Sequence, residues 1–326
     1  MRTVVGVLRG GPSSEYEVSL KSGASVLEHL NREKYDPRDI FIDKTGAWHL
    51  HGVSVPPERA LRGLDVAFNA MHGHFGEDGQ VQRLLESLAT PYTGSDAVAS
   101  ALAFNKQHTK DAVKKLGIKV PHGVVVNPAT ANTSLEEKAL HIFRTFPHPV
   151  IVKPVTGGSS VGTTVADSYH KLERALEKAL EVAPKALVEE YIRGREATVG
   201  VVDNFRNEKT YALMPIEIIP PPANSFFDYD AKYSGHSIER VPGNFTNDEK
   251  QALMRIAREA HEGLGLLHYS RSDFIVSKRG IYFLEVNTLP GLTNESLIPK
   301  ALGAVGSKLS DFLDHVISLA RKERVA

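Results

Sequence analysis

Apolar residues along the chain fall either in short continuous runs, which predict buried strands, or at helical spacing, which predicts amphipathic helices. Residues 3–8 form such a run and end at Gly10-Gly11, and residues 18–30 have apolar positions near helical spacing. A strand, a glycine turn and a helix are typical of the start of a doubly wound α/β domain, in which ligands bind at the carboxyl ends of strands. The two glycines lack the G-x-G-x-x-G pattern, so a dinucleotide site is not predicted.

The same two patterns alternate along the rest of the chain. Apolar and β-branched runs predict strands at 66–71, 149–154, 186–192, 214–219, 270–277 and 281–286. Apolar residues at helical spacing predict helices at 106–116, 247–264, 295–301 and 307–322. This alternation predicts the fold class α/β (α+β).

Polar residues interrupt the predicted hairpin of strands 270–277 and 281–286. Glu285 and Asn287 are two residues apart, so their side chains leave the same face of the second strand. Pairing in the hairpin can bring Asp273 onto that face. Carboxylate and amide oxygens on adjacent strands suit a hard cation such as Mg²⁺ or Mn²⁺.

A hairpin with a solvated polar face is the alternative, in which Asp273 and Glu285 are ordinary surface carboxylates. Both strands are otherwise apolar, which favours partial burial, and a buried carboxylate pair needs a cation or a network of donors. Arg271 adds a fixed positive charge to the face of Asp273. The loop at 287–291 follows directly, with backbone N–H groups that can face a ligand.

A glycine- and serine-rich loop follows the predicted strand that contains Lys153. Residues 156–162 read TGGSSVG and offer backbone N–H groups and hydroxyls to phosphates, while Lys153 supplies charge. A generic linker is the alternative, but the β pattern resumes at once over 161–165, which favours a hairpin lid. The loop lacks the Walker A pattern G-x-x-x-x-G-K-[ST].

Two further loops carry candidate chemistry. His72 and His74, with acidic residues nearby, could form a metal site, but the neighbouring glycines indicate a loop shaped for close backbone approach. After the predicted strand at 214–219, three consecutive prolines begin a long irregular segment. Its aromatic residues favour a lid over a disordered insert.

Composition narrows the possible partners and compartments. The 326 residues carry 39 basic and 39 acidic side chains, so the net formal charge is zero and nucleic acid binding is not expected. The absence of cysteine excludes a disulfide scaffold, thiol catalysis and thiolate zinc sites. We expect neither a signal peptide nor a membrane span, because the apolar runs are too short for either.

These motifs are similar to those of one known family. The segment RSD, followed by LEVNTLPG and NESL, resembles the C-terminal signature of the D-alanine–D-alanine ligases, members of the ATP-grasp superfamily. GGPSSEYEVS, AMHGHFGEDG, KPVTGGSSVG, VEEYIRGREATV and FFDYDAKYSG resemble further signatures of the family. The resemblance implies a three-domain ATP-grasp fold. Its parts are an N-terminal doubly wound parallel-sheet domain (1–104), a central subdomain with a glycine-rich flap (105–189), and a C-terminal subdomain with the substrate lid, metal and oxyanion sites (190–326).

The resemblance also implies an ATP site. In this family, lysines reach the phosphates, and the hinge meets the adenine edge through backbone groups and a glutamate that matches Glu189. A second glutamate, matched by Glu196, holds the ribose hydroxyls. The family usually has Asp before the first lysine, whereas this sequence has Asn105. The implied ATP-binding residues are Lys106, Lys153, Ser160, Glu189, Glu190, Tyr191, Ile192, Glu196 and Lys232.

The amino acid site is implied in the same way. Glu15 contributes to the site of the first amino acid and forms a hydrogen-bonded trio with Ser159 and Tyr233. His72 lies near the substrate carboxylate, and Glu77 orients it through a hydrogen bond. A tyrosine at the position of Tyr233 accompanies an amine as second substrate in this family.

The remaining implied residues act on the reacting groups. Arg271 and the Gly291 amide stabilise the tetrahedral oxyanion. Ser296 and Leu297, at a predicted helix start, hold the carboxylate of the second substrate. The implied metal ligands, for two ions of Mg²⁺ or Mn²⁺, are Asp273, Glu285 and Asn287.

The activity implied by the resemblance is ATP-dependent ligation of two D-alanines through a D-alanyl phosphate, for peptidoglycan precursor synthesis. A cytoplasmic homodimer is implied as well. The alternatives are a D-Ala–D-lactate or D-Ala–D-Ser ligase, and a non-catalytic ATP-binding protein of the same fold.

Overall fold

The computed structural model describes residues 2–129, 133–220 and 238–323. The described strands form three sheets, of five, four and six strands. The N-terminal part contains β1 (Thr3–Gly10), α1 (Tyr16–His29), β2 (Tyr35–Ile42), β3 (Trp48–Leu50), β4 (Val53–Ser54), α2 (Pro57–Ala60), β5 (Val66–Asn69) and α3 (Gln80–Ser87).

Two helices connect this part to the second sheet. They are α4 (Ala97–Phe104) and α5 (Lys106–Lys115). The second sheet and its helices comprise β6 (Gly123–Val126), α6 (Leu135–Thr145), β7 (Val150–Pro154), β8 (Thr164–Ala166), α7 (Tyr169–Val182) and β9 (Ala186–Glu190).

The third sheet includes a long central strand and the predicted hairpin. Its strands are β10 (Arg195–Asp203), β11 (Thr210–Ala212), β12 (Ile216–Ile219), β13 (Ile238–Arg240), β14 (Tyr269–Ser277) and β15 (Gly280–Asn287). The helices of this part are α8 (Asn247–Gly263), α9 (Leu297–Ala304) and α10 (Leu309–Glu323). No helix within these described ranges is long and apolar enough to cross a membrane.

The first sheet has the predicted parallel centre with an antiparallel edge. Its strand order is β4-β3-β2-β1-β5, and β1 pairs in parallel with both β2 and β5. The strands β3 and β4 are antiparallel and add an edge that the sequence did not predict. With three and two residues, they are too short for an apolar pattern to mark them. The turn before β3 is set by Asp43, whose carboxylate accepts hydrogen bonds from the backbone N–H groups of Thr45 and Ala47.

The second and third sheets are antiparallel in the described pairings. The glycine-rich loop joins β7 to β8, which pair with each other, so the prediction of a hairpin in place of a linker is confirmed. In the third sheet, β10 lies between β12 and β14, and β14 pairs with β15. The predicted hairpin at 270–286 is therefore the edge of a larger sheet.

A β-bulge divides the β14–β15 hairpin into two registers. Asp273 pairs with Glu285, but the next residue, Phe274, pairs with Phe283, so Leu284 is the extra residue. Bulges change which face a side chain leaves. Here Phe274 and Phe283 pack edge to face in the core, with ring centroids 5.8 Å apart. Because of the extra residue, the neighbours Leu284 and Glu285 both line one cavity, which is described below.

The largest core cluster joins the two ends of the chain. Val7 and Phe68 of the first sheet pack in one cluster with Phe312, Leu313 and Val316 of α10. The C-terminal helix therefore packs against the N-terminal sheet, and the residue boundaries of the three predicted domains stay a prediction.

Truncation of Phe312 to alanine should destabilise the fold, because this ring is fully buried and meets Tyr269 edge to face at 5.2 Å. We expect a loss of about 3–5 kcal/mol in the free energy of unfolding, measured by urea denaturation. As a matched control, Val98→Ala removes an apolar side chain that is 78% exposed, and it should cost no more than about 0.5 kcal/mol. Equal losses in the two variants would contradict the assigned core.

Candidate functional site

A cavity of about 1260 Å³ lies where the three sheets meet. It is lined by residues from α1, from the loops after β5 and β7, from β9 and β10, and from the hairpin with the loop that follows it. The predicted site residues that line it are Glu15, His72, Glu77, Lys106, Lys153, Ser159, Ser160, Glu189, Glu190, Tyr191, Ile192, Glu196, Arg271, Asp273, Glu285, Asn287, Gly291, Ser296 and Leu297. Lys232 and Tyr233 lie outside the described residues.

The polar face of the hairpin has the predicted arrangement. Asp273 lies opposite Glu285 in the strand pairing, and Arg271 lies opposite Asn287. The Arg271 guanidinium donates to both oxygens of the Asp273 carboxylate, from Nε at 3.0 Å and from Nη2 at 2.9 Å. Thr198 Oγ1 on β10 donates to Asp273 Oδ1 at 2.6 Å, a contact that sequence reasoning missed.

This donor set fits a hard divalent cation that also has ligands from outside the protein. Two carboxylates and one amide oxygen supply part of an oxygen shell, and Mg²⁺ commonly completes its shell with water and substrate phosphates. The described residues contain no group of three or more His, Cys, Asp and Glu side chains that could hold a metal alone. Of the two histidines considered for a metal site, His72 Nε2 contacts Ser22 Oγ at 2.8 Å, and His74 Nδ1 lies 2.7 Å from Asp78 Oδ2.

A buried carboxylate between two lysines lies beside the cavity. Glu189 on β9 is 1% exposed; one of its oxygens is 2.7 Å from Lys153 Nζ, and the other contacts Lys110 Nζ. Burial raises the pKa of Glu189, but the charges of Lys110 and Lys153 outweigh this and lower it below its ordinary value. Burial lowers the pKa of Lys110 to about 7. Glu189 is therefore ionised, and its two oxygens contact two lysine side chains, of which Lys110 is fully charged only below its lowered pKa.

Lys110 was not among the residues predicted for the site. This lysine is four residues after Lys106 on α5, so both side chains leave the same side of the helix. That spacing was the only available signal, because Glu189 is 79 residues away in sequence.

The start of α5 brings Lys106 to the hairpin and to the glycine-rich loop at 156–162, called the flap below. Lys106 Nζ donates to the Gly157 carbonyl at 2.6 Å and lies 3.4 Å from Glu285 Oε2. Asn105 caps the helix, since its side-chain oxygen accepts from the N–H groups of Gln107 and His108. Asn and Asp serve this capping role about equally well.

The flap contacts the N-terminal part of the chain through Glu15. Ser159 Oγ donates to the Glu15 carboxylate, as predicted for the trio whose third member is Tyr233. Ser159 and Ser160 have φ angles of 51° and 58°, and Val161 N–H donates to the Gly158 carbonyl. Such a turn needs two left-handed residues. A Cβ at Gly158 would collide with the Glu15 carboxylate, so glycine permits this approach.

The segment at 188–199, which resembles the hinge of the family, makes apolar and polar contacts. Ile192 packs with Ile275, Tyr282 and Leu284 in a small cluster at the cavity. The Glu190 carboxylate accepts from His122 N–H and from Arg279, and the N–H of Glu190 donates to the His122 carbonyl. The cluster around Ile192 gives this part of the cavity an apolar surface, against which a planar ring could pack.

The predicted hydrogen bond between Glu77 and His72 is wrong. The Glu77 carboxylate accepts from the backbone N–H groups of Gly73, at 2.7 Å, and Leu289, at 3.3 Å. His72 Nε2 instead contacts Ser22 Oγ on α1 at 2.8 Å, and burial lowers the pKa of the imidazole. The carboxylate is held by backbone donors, so Glu77 positions two loops instead of one ring.

The loop after β15 approaches α9 closely. A Cβ at Gly291 would lie 2.8 Å from Ser296 Oγ, so a larger residue at this position would displace that hydroxyl. Ser296 Oγ accepts a hydrogen bond from Thr293 N–H at 3.1 Å. Ser296 is the residue before Leu297, where α9 begins. Free N–H groups at a helix start attract anions such as carboxylates.

Family models match most of the chain. The model described as D-ala D-ala ligase C-terminus matches residues 112–318, and the one described as D-ala D-ala ligase N-terminus matches residues 4–57 and 53–95.

Named relatives match along nearly the whole length. A D-alanine--D-alanine ligase from Geotalea uraniireducens (strain Rf4) is 38% identical over 97% of this chain and 95% of that protein. A D-alanine--D-alanine ligase from Geobacter sulfurreducens (strain ATCC 51573 / DSM 12127 / PCA) is 39% identical over 97% of this chain and 93% of that protein.

Solved structures have the same fold. The VanG D-Ala:D-Ser ligase from Enterococcus faecalis superposes with a TM-score of 0.85 and 29% identity, over 98% of this chain and all of that chain. The D-alanine-D-alanine ligase from Coxiella burnetii superposes with a TM-score of 0.84 and 27% identity, over 99% of this chain and 95% of that chain.

The contacts of Glu77 predict a pH-dependent stability. Burial and the charge of Glu15 raise the pKa of Glu77 from 4.5 to about 8. Between these values the folded state binds more protons than the unfolded state, so stability falls as pH rises, by at most about 1.4 kcal/mol per pH unit. Glu77→Gln removes this titration, and its thermal denaturation midpoint should fall less steeply with pH than that of the wild type.

The control for this experiment is Glu58→Gln, which changes an exposed carboxylate on α2. It should follow the wild-type dependence on pH. If the curve for Glu77→Gln runs parallel to that of the wild type, Glu77 does not have the raised pKa.

Proposed function

The chain belongs to the D-alanine–D-alanine ligase family, and from this membership we propose that it joins two D-alanines to D-alanyl-D-alanine with conversion of ATP to ADP and phosphate. The observation that carries the proposal is the convergence of Lys106, Lys153, Glu189, Asp273 and Glu285 on one cavity. These residues come from distant parts of the chain and have the charges that a nucleotide and its metal require.

The reaction has two steps. The carboxylate of the first D-alanine attacks the γ-phosphorus of ATP, which releases ADP and forms D-alanyl phosphate. The amine of the second D-alanine then attacks the carbonyl carbon, loses a proton, and displaces phosphate. Neither step needs a nucleophile from the protein, which agrees with a sequence without cysteine. The protein instead positions the reactants and neutralises charge.

The phosphate end of the site is cationic. Lys106 lies at the flap, and Lys153 lies at the end of β7. We propose that both face the phosphates together with Lys232. As in its family, the enzyme uses a divalent metal; we propose two ions of Mg²⁺ or Mn²⁺ held by Asp273, Glu285 and Asn287. The metal supplies further neutralisation of phosphate charge.

We assign the adenine and ribose to the end of the cavity lined by residues within 189–196. We propose that the ring lies against the Ile192 cluster, that Glu189, Glu190, Tyr191 and Ile192 supply the edge contacts, and that Glu196 receives the ribose hydroxyls. Ser160 lies in the flap turn, and we propose that it contacts the phosphates. The cavity contacts and the apolar wall of the hinge support this orientation.

The remaining predicted residues are assigned to the two amino acids. We propose that Glu15, with Ser159 and Tyr233, receives the first D-alanine, whose carboxylate lies near His72. Ser296 and the N-terminus of α9 at Leu297 receive the second carboxylate. Arg271 and the Gly291 N–H face the oxyanion, so the guanidinium that now holds Asp273 also lies beside the reacting carbonyl.

The second substrate is assigned from sequence. Structural likeness does not separate the alternatives, since the TM-score is 0.85 to a D-Ala:D-Ser ligase and 0.84 to a D-alanine-D-alanine ligase. Tyr233 supports an amine over D-lactate. We further propose that the enzyme works as a cytoplasmic homodimer in peptidoglycan precursor synthesis.

The direct test is release of phosphate from ATP in the presence of Mg²⁺. D-alanine should stimulate release and L-alanine should not, and D-alanyl-D-alanine should accumulate. D-serine and D-lactate, added with limiting D-alanine, should compete weakly. Absence of stimulation by D-alanine, with ADP still binding, would indicate a non-catalytic nucleotide-binding protein.

Substitution Arg271→Lys should lower kcat by about 10²–10³-fold, because lysine keeps the charge but loses the planar fork that can reach Asp273 and the oxyanion together. The KM for ATP should change much less than kcat, as measured by steady-state kinetics. Arg255→Lys, on the exposed face of α8 beside Glu259, is the matched control and should behave as the wild type. Similar kinetics for both variants would contradict the role of Arg271.

A further inference from the structure

Two lysines contact the Glu189 carboxylate in the described part of the chain. Lys153 lines the cavity, and Lys110 does not. Lys110 is 2% exposed and reaches the Glu189 carboxylate from the side of α5, while Lys153 reaches the same carboxylate from the cavity side. Lys153 and Glu189 are already accounted for by the proposed nucleotide site. Lys110 is a buried charged group that the proposed mechanism does not use.

We propose that Lys110 is a positioning residue that neutralises Glu189 from behind, so that the charge of Lys153 remains available to the phosphates of ATP. The inference rests on the proposed function and deepens it. It explains why the cluster contains two lysines for a single carboxylate.

The charges around Glu189 include those of Glu285 and Lys106, which lie 3.4 Å apart. The ammonium groups of Lys106, Lys110 and Lys153 and the carboxylates of Glu189 and Glu285 leave an excess of one positive charge, and Lys153, which lines the cavity, can direct it to a ligand. If Lys110 were uncharged, this group would have no net charge, and Glu189 would pair with Lys153 alone. In a low-dielectric interior such a pair is strongly coupled, and its lysine would attract a phosphate only weakly.

The surroundings of Lys110 support this division of roles. Among the groups that act on it, Glu189 and Glu285 favour its charged form, whereas burial and Lys153 oppose it. Its pKa is lowered to about 7, so binding experiments should be run below that pH, where the ammonium form prevails.

The test compares two ligands, ADP and adenosine, by equilibrium dialysis with labelled compounds. Lys110→Met removes the charge but keeps the length of the side chain. We expect the affinity for ADP to fall about 10- to 100-fold and the affinity for adenosine, which has no phosphate, to change little. The ratio of the two affinities is the measured quantity, since a purely structural role would lower both in proportion.

A double variant makes the test reciprocal. In Lys110→Met/Glu189→Gln the carboxylate charge is also removed, which frees Lys153 again. The ratio of ADP to adenosine affinity should return to that of the wild type or exceed it, even if adenosine itself binds less well. Lys110→Arg, which keeps the charge, should retain the wild-type ratio.

The control is Lys114→Met, four residues further along the same helix, where the lysine is 48% exposed. It should bind both ligands as the wild type does. If Lys110→Met fails to fold, the double variant, which has no unpaired buried acid, carries the test. A double-variant ratio below that of the wild type would overturn the inference, as would proportional loss of both ligands in Lys110→Met.

These binding measurements are independent of turnover. A wild type that binds ADP but shows no phosphate release with D-alanine would contradict the proposed ligase activity alone. A normal ligase in which Lys110→Met keeps the wild-type affinity ratio would contradict only the role of Lys110.

Discussion

The burial of the Glu189 carboxylate between two ammonium groups is the interaction on which the nucleotide end of the site depends. It joins β9 to the end of β7 through Lys153 and to α5 through Lys110. A carboxylate that is 1% exposed cannot remain ionised without such partners. Because α5 begins at Lys106, the same contact also fixes the helix that brings Lys106 to the flap and Glu285.

Polar contacts of this kind, more than apolar ones, connect the walls of the cavity. Ser159 of the flap reaches Glu15, and Glu77 receives the backbone of Leu289 from the loop after the hairpin. The largest apolar cluster lies away from these contacts, where α10 packs on the first sheet. Directional contacts fix side chains at the cavity within narrow limits, whereas packing of α10 holds the two ends of the chain together.

The chemistry proposed for this cavity needs charge in the right places and no covalent participation by the protein. The ammonium groups of Lys106 and Lys153 lie at the flap and at the end of β7. The carboxylates of the proposed metal site, Asp273 and Glu285, lie on the hairpin. Arg271 lines the same cavity as Gly291, and its guanidinium donates to Asp273 at 2.9 Å. In the proposed mechanism, this one guanidinium therefore serves both the metal site and the oxyanion site.

By itself, the sequence predicted the hairpin of β14 and β15, the strands β1, β5, β7, β8, β9 and β12, and the helices α1, α5, α8, α9 and α10, but not β2, α6 or α7. The likeness of its motifs to those of one family also named residues that line the cavity. These features depend on local periodicity and on contiguous motifs, which a single sequence displays. The tertiary structure alone decided the antiparallel edge of the first sheet, the bulge at Leu284, the packing of α10 on the first sheet, and the partners of Glu77, His72 and Glu189. Each of these depends on groups that are far apart in sequence or on short polar segments without a pattern. A lysine such as Lys110 looks like any helix-surface lysine until β9 places a carboxylate against it.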